Sequence, residues 1–275
     1  MKRRRFLQLA GSAVGLGVGA LAYGGFVERQ WLEFTTQPLP PGRGAAAPVA
    51  CVAHLTDLHL KGIDREHETL AAEVARRAPD IVVITGDAVD YRKDLPILED
   101  FLALLPYRIL KFAVLGNWEH WGRVDLKGLE AIYERGNGTL LVNRSVELHT
   151  RSGVLRITGL DDLVGGHPDT AIIAQATPGA DLHLVLAHCP AQRDLLPSGD
   201  AVVDLVLSGH THGGQVKLLG WAPRLPRGSG RYLEGWYRGG GAPLYVSRGV
   251  GTSFLPIRFG ARPEVVFFQG SGVRD

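Results

Sequence analysis

Seven side chains of types that hold divalent cations stand at or just after the ends of apolar runs in this 275-residue chain, three of them at a regular interval. Asp57, Asp87 and Asn117 recur at an interval of 30 residues, each just after an apolar run. His59 follows Asp57 by two, His188 closes "LVLAH", and His210 and His212 flank Thr211 in "SGHTHGG". Imidazole combined with carboxylate suits Zn, Mn or Fe; thiolates are missing from the set, so a closed structural zinc site is not expected. Asp-x-His and His-x-His put both donors of a pair on one strand-end turn, because alternate residues of an extended backbone point the same way. Seven donors exceed the needs of one ion and suit two that share a carboxylate. Two cations about 3.5–4 Å apart can clamp the attacking and leaving oxygens of an in-line displacement at phosphorus.

Elements that could carry these donors are visible around them. "VACVAHL", "DIVVIT" and "ILKFAVL" read as strands, and "EHETLAAEVARRA" and "LPILEDFLALL" as the helices between them. An interval of 30 residues accommodates a strand, a crossover helix and the return. Right-handed crossovers lay such strands parallel and bring the three polar residues to one sheet edge, where open α/β sheets bind ligands. After "LKGLEAIYERG" the pattern changes to short β-like runs: "SVELHT", "VLRITGL", "LHLVLAH", "VVDLVLSGH", "GQVKLL", "PLYVSRGV" and "PEVVFF". Only "DTAIIAQAT" and "AQRDLL" read as helical there. The expected fold is α/β, with two mixed β-sheets packed as a sandwich and flanked by helices.

Charge and composition narrow the function classes. The net charge of +2 rests on Lys2, Arg3, Arg4 and Arg5, since no acidic residue precedes Glu28. The rest of the chain is close to neutral, so it has no nucleic-acid-binding signature. Cys51 and Cys189 are too few for a disulfide framework and are expected as buried free thiols. Residues 1–27 combine a basic head, an apolar Gly/Ala-rich run and Ala20-Leu21-Ala22, a motif of the A-x-A kind. Arg3-Arg4 followed by Phe6-Leu7 resembles a twin-arginine signal, which implies the twin-arginine export machinery as a partner. Left uncleaved, the segment is an N-terminal membrane anchor, and in both cases the remaining chain lies outside the cytoplasmic membrane. Residues 28–48 read as a lead-in strand, "WLEF", with a Pro- and Gly-rich linker from residue 35; residues 49–270 are expected to form one domain.

"DLH" at 57, "GD" at 86, "GNWEH" at 116, "AH" at 187 and "GHTHGG" at 209 together resemble the calcineurin-like metallophosphoesterases in order and spacing. "GLDD" at 159 and "SRGVGTSFLPIRFGARPEV" are similar to a bacterial branch of exported or membrane-attached phosphodiesterases. The resemblance implies two divalent metal ions, with Asp57, His59 and His212 on the first. It implies Asn117, His188 and His210 on the second, and Asp87 bridging. It also implies a metal-bridging hydroxide that attacks phosphorus, with Asn117 or His188 helping to neutralise the growing charge. The implied substrate is a phosphorylated small molecule, nucleotide or lipid-linked compound, and a phosphodiester is the expected ester.

One position departs from the pattern. The family usually reads Gly-Asn-His where this chain has Gly116-Asn117-Trp118, and an indole cannot deliver a proton at neutral pH. Three readings meet this departure. His120 takes over as general acid and substrate contact. Alternatively the substrate has a good leaving group, as in a pyrophosphatase acting on a lipid-linked nucleotide sugar, with Trp118 covering a base or lipid. The third reading is a non-catalytic metal-dependent phosphate-binding module.

Overall fold

The computed structural model describes residues 19, 22–44, 48–174, 179–197, 203–218 and 220–270. The twin-arginine motif and most of the apolar run after it lie outside the described residues. No helix among the described residues is long and apolar enough to cross a membrane.

The first half alternates strand and helix as the 30-residue interval demands. Strands β1 (Glu33–Pro38), β2 (Cys51–Leu55), β3 (Ile81–Thr85), β4 (Leu110–Val114) and β5 (Gly138–Leu140) are joined by helices α1 (Arg65–Arg77), α2 (Leu95–Leu104), α3 (Asn117–Trp121) and α4 (Leu126–Arg135). Asp64 caps α1: its carboxylate accepts from the His67 N–H at 3.2 Å, and the Asp64 N–H donates to His67 Nδ1 at 3.3 Å. Leu70, Ala71 and Val74 form the buried face of α1, and burying each Leu or Val side chain contributes about 1.5–3 kcal/mol.

β12 (Glu264–Gln269) returns to this sheet, giving the order β1-β12-β2-β3-β4-β5. β2, β3, β4 and β5 pair in parallel, while β12 runs antiparallel to β2. β1 pairs with β12 from Glu33 to Pro38, so Thr35–Pro38 are strand and not linker. The edge of a sheet tolerates the proline that ends it.

The second sheet has the order β10-β11-β9-β8-β7-β6. Its strands are β6 (Arg144–Thr150), β7 (Gly153–Gly159), β8 (Leu182–Leu186), β9 (Leu205–Ser208), β10 (Gly235–Tyr237) and β11 (Leu244–Val246), with the short helix α5 (Ala171–Ala174) between β7 and β8. The run "GQVKLL" is not a strand: it makes only isolated bridges, Val216 to Phe259 and Leu218 to Trp221. "AQRDLL" forms a 3-10 turn at Pro190–Leu195.

Side-chain alternation builds the layers. On β3, Val82 and Ile84 pack against the helices, whereas Ile81 and Val83 face the other sheet. On β9, Leu205 and Leu207 meet them from the opposite side, and Val206 faces outward toward Ile173 and Tyr232. The result is helices, sheet, sheet and a thinner outer layer, with both free cysteines buried.

Candidate metal centre

All seven predicted donors follow strand carboxyl ends at one edge of the sandwich. Asp57 and His59 follow β2, Asp87 follows β3, and Asn117 opens α3 just after β4. His188 follows β8, and His210 and His212 follow β9. The turns brace one another through the backbone. The Asp57 N–H donates to Gly86 O at 3.1 Å, His59 N–H to Asp87 O at 2.9 Å, and Gly209 N–H to His188 O at 3.1 Å.

Five of the seven have left-handed backbones: Asp57 (φ 52), His59 (φ 46), Asp87 (φ 52), His210 (φ 71) and His212 (φ 51). Asp and His visit this region more readily than most residues, yet each such conformation costs on the order of 1–3 kcal/mol. Strain concentrated on one cluster means that the surrounding packing holds these donors in place. The adjoining glycines show the tolerance. A side chain at Gly116 would overlap the Asp87 carboxylate, and one at Gly209 would overlap that of Asp57.

The donors converge in two groups. Ligand atoms of Asp57, His59 and His212 all lie within 4.8 Å of one another, as do those of Asp87, His188 and His210. Asn117 joins the second group, with Oδ1 3.2 Å from His188 Nε2. Asp87 Oδ2 lies 3.2 Å from His188 Nε2 and 3.7 Å from His59 Nε2, so its carboxylate stands between the groups.

These residues fit two cations on the orientation of their lone pairs. His59 Nδ1 bonds Asp90 Oδ1 at 2.6 Å, His188 Nδ1 bonds Thr85 O at 2.8 Å, and His210 Nε2 bonds Arg227 O at 2.7 Å. Each ring uses its outer nitrogen as donor, which leaves the other nitrogen's lone pair facing inward. Those inner nitrogens then crowd one another: His59 Nε2 lies 3.2 Å from His212 Nε2, and His210 Nδ1 lies 3.1 Å from His188 Nε2. His210 Nδ1 and His188 Nε2 thus face each other as acceptors, an arrangement a cation between them would satisfy.

Charge gives the same answer. Asp57 and Asp87 are buried, and no lysine or arginine forms an ion pair with either among the described residues. Burial disfavours a charged His188, but Asp87 and then Asp57 lift its pKa well above the ordinary histidine value. For His212, burial and then the charges of His59 and Arg258 push the pKa well below it. The two rings therefore sense different surroundings, carboxylates around His188 and cationic neighbours around His212.

Some functional positions were missed by sequence reasoning. Asp90 orients His59 and also lies 3.2 Å from the Lys61 ammonium; its only sequence signal is a carboxylate three residues after Asp87. Glu119 is buried and accepts from the N–H groups of Asp87, Ala88, Val89 and Gly116. Burial and then the Asp87 charge push its pKa up to about 7, against those backbone donors. Arg258, wholly buried, donates to the carbonyls of Arg248, Gly249 and Ala261 and fixes the loop behind His212.

A cavity of about 270 Å³ opens over the donors, with Asp87, Asn117, His210 and His212 in its lining. Trp118, Trp121 and Phe254 form an aromatic wall, with ring centroids 5.6 Å apart for Trp118–Trp121 and 5.2 Å for Trp118–Phe254. Arg227 is the one Lys or Arg in the lining, and its guanidinium has no hydrogen bond or ion pair among the described residues.

His120 is not brought into this cavity. Its Nε2 bonds Asp161 Oδ1 at 2.7 Å, and its ring packs against Gly165. Helical geometry explains the difference from the expectation: on α3, residues two apart do not share a face, so His120 cannot stand where Trp118 does. The Asp161 hydrogen bond holds the His120 pKa above its ordinary value despite partial burial. Asp161 and Asp162 also accept from the N–H groups of His167 and Val164, which shapes the loop that carries Val164 into the cavity lining.

A family model described as calcineurin-like phosphoesterase matches residues 52–214. YkuE of Bacillus subtilis, an uncharacterized metallophosphoesterase, is 31% identical across 98% of this chain and 97% of its own. An uncharacterized metallophosphoesterase of Aquifex aeolicus is 32% identical across 90% of this chain and 92% of its own. The phosphodiesterase YaeI of Escherichia coli is 28% identical across 98% of this chain and 99% of its own.

Proposed function

The chain belongs to the calcineurin-like phosphoesterase family and is a phosphoester hydrolase using two divalent metals, and from that premise we propose a phosphodiesterase that works outside the cytoplasmic membrane. The observation that carries the proposal is the lining of the cavity. Arg227, whose guanidinium has no partner among the described residues, lines the cavity together with the uncharged side chains of Trp118, Trp121, Val164, Pro226 and Phe254. A phosphodiester has one negative charge and two organic substituents, and this wall offers one cation and ample apolar surface. A monoester carries close to two charges at neutral pH and would favour more cations than one.

Asp57, His59 and His212 would hold one ion, Asn117, His188 and His210 the other, and Asp87 would serve both. When bound, the pair would supply Lewis acidity, lowering the pKa of a water toward neutral and neutralising charge on the phosphoryl oxygens. The side chains supply the rest. Asp90, Thr85 O and Arg227 O fix the ring orientations of His59, His188 and His210. Arg227 pairs with a phosphoryl oxygen. Trp118, Trp121 and Phe254 exclude water and cover the organic part of the ester.

A second reading has a specific support. No proton-delivering side chain other than the donors lines the cavity among the described residues, which favours a substrate whose leaving group departs without one. An aryl or acidic alcohol satisfies this, and so does a phosphate, as in a pyrophosphate bond. The export signal motif and the Escherichia coli relative's name support the extracytoplasmic diesterase over the pyrophosphatase.

The test is a substrate panel on the metal-loaded full chain: a bis-aryl phosphodiester, an aryl phosphomonoester and an alkyl pyrophosphate. The diester is expected to show the highest kcat/KM, by about tenfold or more, a margin of about 1.4 kcal/mol in transition-state binding. Faster turnover of the monoester or pyrophosphate would overturn the diesterase reading.

A further inference from the structure

The aromatic wall of the cavity, Trp121 and Phe254, continues outside it into Leu255, which the catalytic reading does not use. Phe254 is 80% exposed, Leu255 63% and Trp121 52%. Their exposure is built into the fold. Phe254 has a left-handed backbone (φ 54), and the Gln215 amide braces both sides of it by donating to Ser253 O at 3.1 Å and Leu255 O at 2.9 Å. A large apolar side chain held outward at a strained position calls for a partner.

The chain itself indicates which partner. A helical stretch at residues 22–26 continues from the apolar N-terminal run, in which no charged residue occurs between Arg5 and Glu28. This stretch docks beside the same loop. The Arg258 N–H donates to Gly24 O at 3.1 Å, and the Tyr23 and Phe259 rings lie 6.2 Å apart. Phe26, 77% exposed, and Leu255 flank this contact, and chain reach alone keeps them within roughly 20 Å. Exposed apolar side chains thus lie on both segments of this contact, Phe26 on one and Leu255 on the other, and the neighbour of Leu255, Phe254, meets Trp118 at the cavity.

We propose that this face docks on a lipid bilayer, with Leu255 and Phe254 entering the headgroup–acyl boundary and the cavity opening onto the membrane surface. The inference deepens the diesterase reading and rests on it: the ester would be drawn from the bilayer rather than from bulk water. Tryptophan rings suit that boundary because they are apolar with one polar edge. Left uncleaved as an anchor, the adjoining apolar run would keep the local concentration of lipid high, so a small wedge would be sufficient.

Two measurements on the full chain test it. Both native thiols are buried, so a single label can be placed by Leu255→Cys, with Leu104→Cys as control. Leu104 is 39% exposed and ends α2, ahead of β4 and so at the opposite edge of the sheet from the metal donors. In phosphatidylglycerol–phosphatidylethanolamine vesicles, a lipid-borne quencher is expected to quench the Leu255→Cys label and not the Leu104→Cys label. Equal quenching of both, or of neither, would overturn the proposal.

The second measurement compares substrates. Leu255→Glu should lower turnover of a vesicle-borne long-chain phosphodiester about tenfold or more, the scale of withdrawing one leucine from an apolar phase. Its hydrolysis of a water-soluble bis-aryl diester should be unchanged. An undiminished rate on the vesicle-borne diester would contradict the docked face. If the unaltered protein hydrolyses no diester, the diesterase reading fails, and the quenching result alone decides the orientation.

Discussion

The donor nest and the cavity mouth lie side by side and are built by opposite rules. In the nest, the seven donors are buried, and His59, His188 and His210 are each held by a second partner. At the mouth, Trp121 and Phe254 are exposed and meet their neighbours through ring contacts. The nest is over-determined, as a site must be if its electrostatics are to be set before substrate arrives. The mouth is exposed and apolar, which would suit selection among organic substituents rather than chemistry at phosphorus. Substitutions should therefore separate into large effects on metal and turnover in the nest, and modest effects on substrate preference at the mouth.

The largest effect is expected from Asp87→Asn, which keeps the shape and removes the charge standing between the two donor groups. Hydrolysis of a bis-aryl diester should fall at least about 100-fold with loss of bound metal, beyond the 10–100-fold range of outer partners. A folded Asp87→Asn variant with wild-type activity would break the comparison at its centre.

Next is Asp90→Asn. Asp90 touches His59 and no other donor, so its loss should weaken metal affinity about 10–100-fold and leave the fold intact. A competitive chelator titration reads this directly, and an unchanged midpoint would remove Asp90 from the nest.

At the mouth, Trp121→Ser should raise KM for an aryl diester about 3–10-fold with kcat nearly constant, the scale of one aromatic contact. A fall in kcat with KM constant would place Trp121 with the nest.

The smallest effect is expected from His120→Ala. With Nε2 engaged by Asp161 and the ring outside the cavity lining, kcat/KM should change less than about threefold for diesters with aryl and alkyl leaving groups alike. General-acid assistance contributes about 10²–10⁴ in rate. A loss of that size confined to the alkyl ester would return His120 to the role the sequence proposed for it.

The same contrast explains what was legible in the sequence. The nest could be read because strand-end donors obey rules: a fixed interval for Asp57, Asp87 and Asn117, and x-spaced pairs for Asp57/His59 and His210/His212. β3 and β4 were legible as apolar runs, as burial on both faces requires, and α1 from its period of 3.6. The mouth could not be read. Phe254, Arg227 and Gln215 come from irregular segments in which no periodicity constrains the pairing. β5 and β10, at three residues each, are too short to show a pattern. The placement of His120 required knowing that Asn117–Trp121 is helical rather than extended, and five residues beginning at a glycine do not reveal that.

The central claim is that these seven side chains hold two divalent cations on which hydrolysis depends. It is tested most directly by elemental analysis of the purified full chain alongside its diesterase rate, before and after chelation and after metal is returned. The account predicts close to two divalent ions per active chain, loss of rate as they are withdrawn, and recovery on reloading. Undiminished hydrolysis by protein stripped of both ions would contradict it.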